Sequence, residues 1–515
     1  MFDQNRPSTQ NLNRAEYLDK VLGCWTGKNI GGTLGTPMEG KRDIFNVTFY
    51  TQDQKGVPAP NDDLDLQLVW LQAVEEHGAE HITERLLGEY WMGHIIGPWN
   101  EYGVGKVNIS NGLVPPLSGA VNNDQWKNSN GAWIRSEVWA CMFPGSPDEA
   151  ASYAWMDACV DHADDGIYAE LFTASVEAAA FVESDIRKLI EIGLTKIPAD
   201  CRVARSVKLA CSEYDAKHDF VDARNAIVKE NEDLGWFQAP ANIGFTILGL
   251  LYGEGDFGKT VCAAVNCGDD TDCTGATAGA ILGIIKGRSG IPKEWIEPIG
   301  ETIKTVAINP FKLDVPKTLQ ELTDRVARVA FETWVRNPTL IPISDAPTAI
   351  DDAYRAKLLS SGAVAKRLWQ RSSMILRYPL PYGCFNIQYV DGPIAKPGEP
   401  LRIKLWLNRL VLDDKSVHCR WELPEGWTAE PGCEVAMLAH HGNEVVKEVI
   451  LIPGEFGGAY EYVLLEITLA GRFNPEYITV PFQLTGCVQN DHRQNTQDHW
   501  DARNRLSARR ASRPL

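Results

Sequence analysis

The sequence predicts a mainly α protein that ends in a small all-β, immunoglobulin-like sandwich, and three observations carry that reading. From about residue 14 to 370 the apolar residues recur at helical spacing. Past about Leu376 they alternate with polar residues instead. Within the helical part lies an uncharged Gly-Ala stretch, Thr274 to Gly283, which only a buried helix with close neighbours explains. The expected organisation is a helical domain over 1–375, a sandwich over 376–487 and an Arg-rich tail over 488–515.

Each element has its own signal. Leu18, Val21 and Leu22 open one helix; Leu66, Val69, Trp70 and Ala73 stripe another; Leu171, Val176, Ala180 and Val182 mark a third. The stretch from Gly97 to Asn130, rich in Gly, Asn, Pro and Ser, is expected to be a long functional loop. Leu401 to Leu407 alternates strictly, as does much of Ala459 to Thr468, and Tyr477 to Phe482 reads as another strand. Turns at Lys396-Pro397-Gly398 and Pro424-Glu425-Gly426 space these strands as in a sandwich. The tail carries Arg503, Arg505, Arg509, Arg510 and Arg513 and is expected to fray or lie on a neighbouring surface.

The chain has 515 residues and a net charge of −18, from 68 acidic and 50 basic side chains. Such a field repels phosphate backbones and anionic membranes, so neither a nucleic acid nor a membrane is an expected partner. No apolar run reaches the roughly 18 residues that span a bilayer, and the N-terminal residues lack a secretory pattern. Twelve cysteines without CxxC spacing read as thiols of a reducing, cytoplasmic compartment. The expected partner is a small molecule or a glycosylated substrate, with self-association left open.

Two acidic clusters could carry chemistry. Asn61-Asp62-Asp63-Leu64-Asp65 opens one helix and Gly268-Asp269-Asp270-Thr271-Asp272 opens the Gly-Ala helix. Acids at helix starts are ordinary caps, which accounts for the first cluster as well as a site does. The second opens a buried helix, where neighbouring carboxylates repel by several kcal/mol per pair at an effective dielectric of about 20. A hard divalent cation relieves that repulsion, and Mg²⁺, Mn²⁺ or Ca²⁺ would choose such ligands.

Several segments resemble the ADP-ribosylglycohydrolase family: Leu22-Gly23-Cys24-Trp25 through Gly35-Thr36-Pro37-Met38-Glu39-Gly40, the Asn-Asp-Asp cluster, Asn130-Gly131-Ala132-Trp133-Ile134-Arg135, Phe143-Pro144-Gly145, Asp157 to His162, and Val265 to Asp272. The likeness spans about residues 15 to 310 in the family's order. It implies an orthogonal all-α bundle with two Mg²⁺ ions (Mn²⁺ as a substitute) in a central cleft, cleaving a glycosidic bond at the anomeric carbon of a ribose. It assigns Asn61, Asp62, Asp63, Asp270, Asp272 and Cys273 to the metals. Glu39 is placed beside an ion or its water, and Glu39 or Asp63 would take the water's proton. Asn130, Gly131, Trp133 and His162 would line the substrate pocket, and Gly103, Val104 and Gly105 would cover a diphosphate.

The sequence also departs from that pattern. Asn61 and Leu64 replace threonines, Cys273 replaces a threonine ligand, Gly32 replaces an aspartate, and Asp65 and Asp269 add charge. A thiol suits Mg²⁺ poorly. The extra acids predict a strongly acidic pocket, which favours an unphosphorylated sugar over ADP-ribose. Trp91, Trp99, Trp126, Trp133 and Trp139 gather around the expected loop, where they would either stack on sugar rings or pack the core. The alternative function is a non-catalytic, structural or ligand-binding member of the same scaffold.

Overall fold

The structure is a computed structural model that describes residues 10–311, 313–337, 339–360, 362–409, 415–439, 445–487, 504, 505, 507 and 508. The chain forms two compact units. One comprises Met1–Tyr102 with Gln125–Arg371, and the other Gly103–Asp124 with Ser372–Leu515. The second unit thus begins its C-terminal part at Ser372 and also takes in the internal segment Gly103–Asp124.

The first unit is helical and is built around one pair of helices. Helix α1 (Arg14–Gly35) starts where the Asn13 side chain accepts hydrogen bonds from the backbone N–H groups of Ala15 and Glu16. From Val21 to Gly35 its only charge is Lys28. Its partner, the expected Gly-Ala helix, is buried at every residue from Thr271 to Ile284. The two run antiparallel, with Gly23, Gly27 and Gly31 against Gly283, Gly279 and Gly275, and Gly35 against Thr271. A Cβ on Gly27 would lie 2.0 Å from the Gly279 carbonyl oxygen, and one on Gly31 1.9 Å from that of Gly275. The backbones therefore touch, and any side chain at these positions would force them apart. A second helix, α2 (Asp62–His77), begins at an Asn61 cap and ends at Gly78, whose φ of +79° favours glycine.

Helix α3 (Asn100–Ser110) occupies much of the stretch expected to be a loop, and a helical turn follows at Leu117–Ala120. The loop expectation is corrected here. Gly103 and Gly105 each cost about 1 kcal/mol of helix propensity and interrupt the periodicity, yet burial of Tyr102, Asn108 and Ile109 overrides them. Asn108 donates to the carbonyls of Ser118 (2.8 Å) and Val121 (2.6 Å), folding the segment back on itself. Further along, α4 (Ala239–Tyr252) is buried from Ala239 to Leu251, and α5 is the Gly-Ala helix, Thr271–Lys286.

The second unit is a β-sandwich. Strands β1 (Ile375–Leu380), β2 (Gly383–Tyr389), β3 (Ile394–Ala395), β4 (Leu401–Arg409), β5 (Lys415–Glu422), β6 (Thr428–Glu430), β7 (Glu434–Ala439), β8 (Lys447–Ile452), β9 (Tyr460–Leu469) and β10 (Glu476–Leu484) form two five-stranded sheets. Their orders are β1-β2-β4-β8-β6 and β3-β10-β9-β5-β7. Along β4, Leu401, Ile403, Leu405 and Leu407 are buried while Arg402 is exposed, as strict alternation predicts. Strand β9 is buried on both faces: Val463 and Leu465 enter the core, and Tyr462 donates to the Asn111 carbonyl at 3.0 Å. Leu113, Leu117 and Val121 join the same core, so the 103–124 segment closes one outer face of the sandwich. In the tail, Arg505 pairs with Glu461 at 3.0 Å, while Arg503, Arg509, Arg510 and Arg513 lie outside the described residues.

All twelve cysteines are free, and among the described residues no helix is long and apolar enough to cross a membrane.

Candidate metal centre

The contact between α1 and α5 brings the end of one helix to the start of the other. Thr271 Oγ1 donates to the Gly35 carbonyl at 2.8 Å, tying the two termini. Beyond Gly35 the chain turns through Pro37 and returns alongside the entry to α5. There the Gly40 N–H donates to the Asp269 carbonyl and the Asp269 N–H to the Lys41 carbonyl, both at 2.9 Å. Gly268 is required at this entry, because its φ is +79° and a Cβ would lie 2.1 Å from the Asp43 carbonyl oxygen. Glu39 is thereby fixed opposite Asp270 and Asp272.

Two groups of ligand atoms result, each with its atoms within 4.8 Å of one another: Glu39 with Asp270 and Asp272, and Asp63 with Asp272 and Cys273. Asp272 belongs to both. Glu39 lies at the exposed side; the other four residues are buried. Asn130 donates to Asp270 Oδ2 at 2.6 Å and accepts from Trp133 Nε1 at 3.0 Å, so it orients that carboxylate. The Asn242 side chain, on α4, accepts from the Asp270 N–H at 3.2 Å. Cys273 Sγ lies 3.8 Å from Asp63 Oδ2. Asp63 Oδ1, Asp270 Oδ1 and Asp272 Oδ1 are buried and accept no hydrogen bond, and buried carboxylate oxygens without donors are what a cation would satisfy. The donor set fits divalent ions.

Behind Asp63 stands a buried polar network that the motifs did not reveal. Lys28 Nζ donates to Glu137 Oε1 and to the Ile134 carbonyl, both at 2.7 Å, and lies 3.8 Å from Asp63 Oδ1. Gln67 Nε2 donates to Glu137 Oε2 and to the Asp63 carbonyl, both at 2.8 Å. A lone lysine in the otherwise uncharged stretch Val21 to Gly35 of α1 was the available signal. Burial alone would lower the Lys28 pKa, but Glu137 and then Asp63 outweigh it and hold it above the usual lysine range.

The carboxyls respond to burial and to each other. Desolvation raises Asp63 well above the ordinary range, with Lys28 opposing, and raises Asp272 still with help from Asp270 and Asp63. Asp62 and Asp270 are raised chiefly by burial. Glu39 is pushed up to about 7 by desolvation and then by Asp270 and Asp62. The Cys273 thiol is raised by burial and then by Asp270 and Asp63.

The remaining expected residues fall into different places. Asp62 is in neither ligand group; its Oδ2 accepts from Tyr102 Oη at 3.1 Å. The Asn61 oxygen is used as a cap, accepting from the Asp63 N–H at 2.7 Å, and its amide nitrogen would lie 2.3 Å from a Cβ on Gly32. Asn130, Trp133 and His162 are 0% exposed and Gly131 is buried. His162 is hydrogen-bonded to Asp161 (2.8 Å) and Ser129 (3.1 Å). Burial would raise Asp161, but Arg135 and then His162 hold it at about 2. Arg135 also donates to Asp157 at 2.7 Å and lies over the Trp91 ring, 4.8 Å from its centre. Gly103, Val104 and Gly105 lie in helix α3 and belong to the sandwich unit.

The acidity expectation is also corrected. Asp65 Oδ2 accepts from the Val306 (2.5 Å) and Ala307 (2.7 Å) N–H groups, pinning that loop. Asp269 is paired with Arg42 at 2.7 Å. Neither belongs to a ligand group. Of the five tryptophans, Trp91, Trp133 and Trp139 are wholly buried and pack the core; Trp126 is half-buried and Trp99 exposed. Half-buried Trp236 would lie 3.9 Å from a Cβ on Gly40 and tilts onto Phe237. Trp126 also meets Phe237, edge-on, with ring centres 6.1 Å apart.

Residues 13–334 match the sequence profile of the ADP-ribosylglycohydrolase family. A stretch of 82 residues is 32% identical to "ADP-ribosylarginine hydrolase Tri1" from Pseudomonas putida (strain GB-1), covering 16% of this chain and 19% of that protein. A solved structure of Pseudomonas fluorescens alkylpurine DNA glycosylase AlkC, bound to DNA containing an abasic site analog, aligns over 77% of this chain and 98% of that one. Its TM-score of 0.14 at 9% identity carries no argument about fold or function.

Proposed function

Because the chain belongs to the ADP-ribosylglycohydrolase family, we propose that it is a metal-dependent hydrolase that cleaves the glycosidic bond at the anomeric carbon of a ribosyl group, with ADP-ribosyl linkages as the first substrates to test. The observation that carries this reading is the pair of ligand groups sharing Asp272, with three buried carboxylate oxygens that accept nothing else. Glu39, Asp270 and Asp272 would hold one divalent ion, and Asp63, Asp272 and Cys273 the other. Bound there, such ions acidify a water and hold vicinal sugar hydroxyls.

The protein's own groups do the rest. Glu39 is the one carboxyl of the set at the exposed side, which places it to take a proton from a water entering the centre. Asp63, 0% exposed and facing Lys28 and Cys273, serves as a ligand and not as the base. Asn130 and Asn242 keep Asp270 in one orientation. Trp236 and Phe237 offer a partly exposed aromatic face next to Gly40, the residue after Glu39, on which a flat ring can stack.

With Asp65 Oδ2 held by the Val306 and Ala307 N–H groups and Asp269 paired with Arg42, neither joins a ligand group, which weakens the charge argument against a phosphorylated substrate. The test is to incubate the full chain with ADP-ribosylarginine and, separately, with an unphosphorylated ribosyl glycoside, in Mn²⁺, in Mg²⁺ and in chelator, and to follow sugar release by chromatography. Metal-dependent release from either supports the reading and identifies the substrate class. Binding of metal with no release from any glycoside favours the non-catalytic alternative.

A further inference from the structure

The two ligand groups differ in chemistry. Glu39, Asp270 and Asp272 present only carboxylate oxygens, whereas Asp63 and Asp272 are joined by the Cys273 sulfur. We propose that the two cation positions are unequal: the all-carboxylate position takes a hard ion such as Mg²⁺ or Mn²⁺, and the Asp63–Asp272–Cys273 position selects a thiophilic divalent ion of the Zn²⁺, Co²⁺ or Fe²⁺ class. This rests on the dinuclear reading above and concerns which ion occupies which position.

The cysteine does not carry the argument alone. Asp272 is 7% exposed and Asp63 0%, and each has an Oδ1 that accepts no hydrogen bond. Cys273 is 5% exposed, with its sulfur 3.8 Å from Asp63 Oδ2. All three donors therefore converge in a space shielded from water. Thiolate sulfur stabilises borderline and soft ions, while Mg²⁺ prefers oxygen ligands in octahedral geometry and keeps several waters. A buried corner with one sulfur and two carboxylates suits four-coordinate Zn²⁺ or Co²⁺ with one position left for water or substrate. On binding, the Cys273 proton passes to solvent.

The experiment uses the full chain stripped of metal and titrated with Co²⁺ while absorbance and bound-metal stoichiometry are both recorded. The expected result is two bound Co²⁺, one accompanied by a near-ultraviolet sulfur-to-cobalt charge-transfer band. Cys273→Ser should remove that band and keep the all-carboxylate ion. It should weaken Zn²⁺ at the second position by at least the roughly 10- to 100-fold that loss of an outer hydrogen-bond partner costs. X-ray absorption of the Zn²⁺-loaded, unmodified protein gives a reading that needs no variant: one sulfur at about 2.3 Å is expected. Two bound ions with no band and no Zn–S distance would overturn the assignment and leave the dinuclear reading standing. A band that survives in Cys273→Ser, still folded by circular dichroism, would place the sulfur elsewhere and also overturn it. Failure of any ion to bind would overturn both readings.

Discussion

Gly31→Ala tests whether the backbone contact between α1 and α5 sets the geometry of the centre. The new Cβ would lie 1.9 Å from the Gly275 carbonyl oxygen and 2.1 Å from its carbon, about 1.1 Å inside the 3.0 Å that real Cβ contacts observe. No rotamer change relieves a clash with backbone, so the helices must separate by about that distance. Overpacking of this kind costs about 1–3 kcal/mol, against a gain of up to about 1 kcal/mol because alanine is the better helix former. The expected net loss is about 1–2 kcal/mol, read by urea unfolding. The displacement also carries Glu39 away from Asp270 and Asp272, and a misplacement near 1 Å costs about 100-fold in turnover. Gly93, on the exposed side of the helix Glu84–His94, is the control, because a Cβ there would meet nothing within 4 Å and Gly93→Ala should be neutral to stabilising. If Gly31→Ala were as stable as Gly93→Ala and bound metal normally, the contact could not be what spaces the site.

Asp272→Asn removes the ligand shared by both groups, so calorimetry should show neither ion bound tightly and turnover should be lost. The metal-free variant should melt higher than the parent, since a buried repelling carboxylate is gone. The pH dependence follows from the raised carboxyls. Asp63, Asp272, Glu39 and Asp65 hold protons more tightly folded than unfolded, so their stabilisation is present at low pH and lost as pH rises from about 4 through 7. In chelator the melting temperature should therefore fall between about pH 5 and pH 8, and Mn²⁺ should flatten that slope because ligation needs ionised carboxyls; a rising slope in chelator contradicts the burial argument. Gly32→Asp alone should destabilise, because the Asn61 amide lies 2.3 Å from the added Cβ, and Asn61→Thr should restore much of the loss; additive effects in a double-mutant cycle would show that the two positions do not interact. Ending the chain after Arg371 should cause aggregation, since Leu113, Leu117 and Val121, now at most 4% exposed within the sandwich core, would lose their partners; a soluble, monodisperse product would refute this.

What the sequence made legible is what local pattern encodes. The alternation of Leu401 to Leu407 specified β4, and the uncharged run after Asp272 specified a buried helix with close neighbours. The acids at helix starts marked Asp63, Asp270, Asp272 and Cys273 as neighbours of something. Their convergence was not in the spacing. It comes from the antiparallel register of glycines four residues apart on both helices, which no single cluster contains. The 103–124 segment was illegible for a related reason: its glycines and prolines hide the helical period, and its partners, such as Tyr462 and Gln483, lie more than 300 residues away.

The count of acids misled because a carboxylate acts through its direction. Asp65 is two residues beyond Asp63, and residues at that spacing on a helix face different sides. It therefore reaches the N–H groups of Val306 and Ala307 and not the ligand groups. Asp269 is adjacent to Asp270 but sits at φ +61°, which turns it toward Arg42. Lys28, unnoticed among small residues, brings a positive charge within 3.8 Å of Asp63. On the two-ion reading, two divalent charges offset the four carboxylates of the ligand groups, leaving Asp62 and an ionised Cys273 as the excess. A diphosphate approaching such a centre meets a field far weaker than the motif's tally of acids implies. That is why the same clusters which on paper favoured a neutral sugar are, in their folded arrangement, compatible with an ADP-ribosyl group.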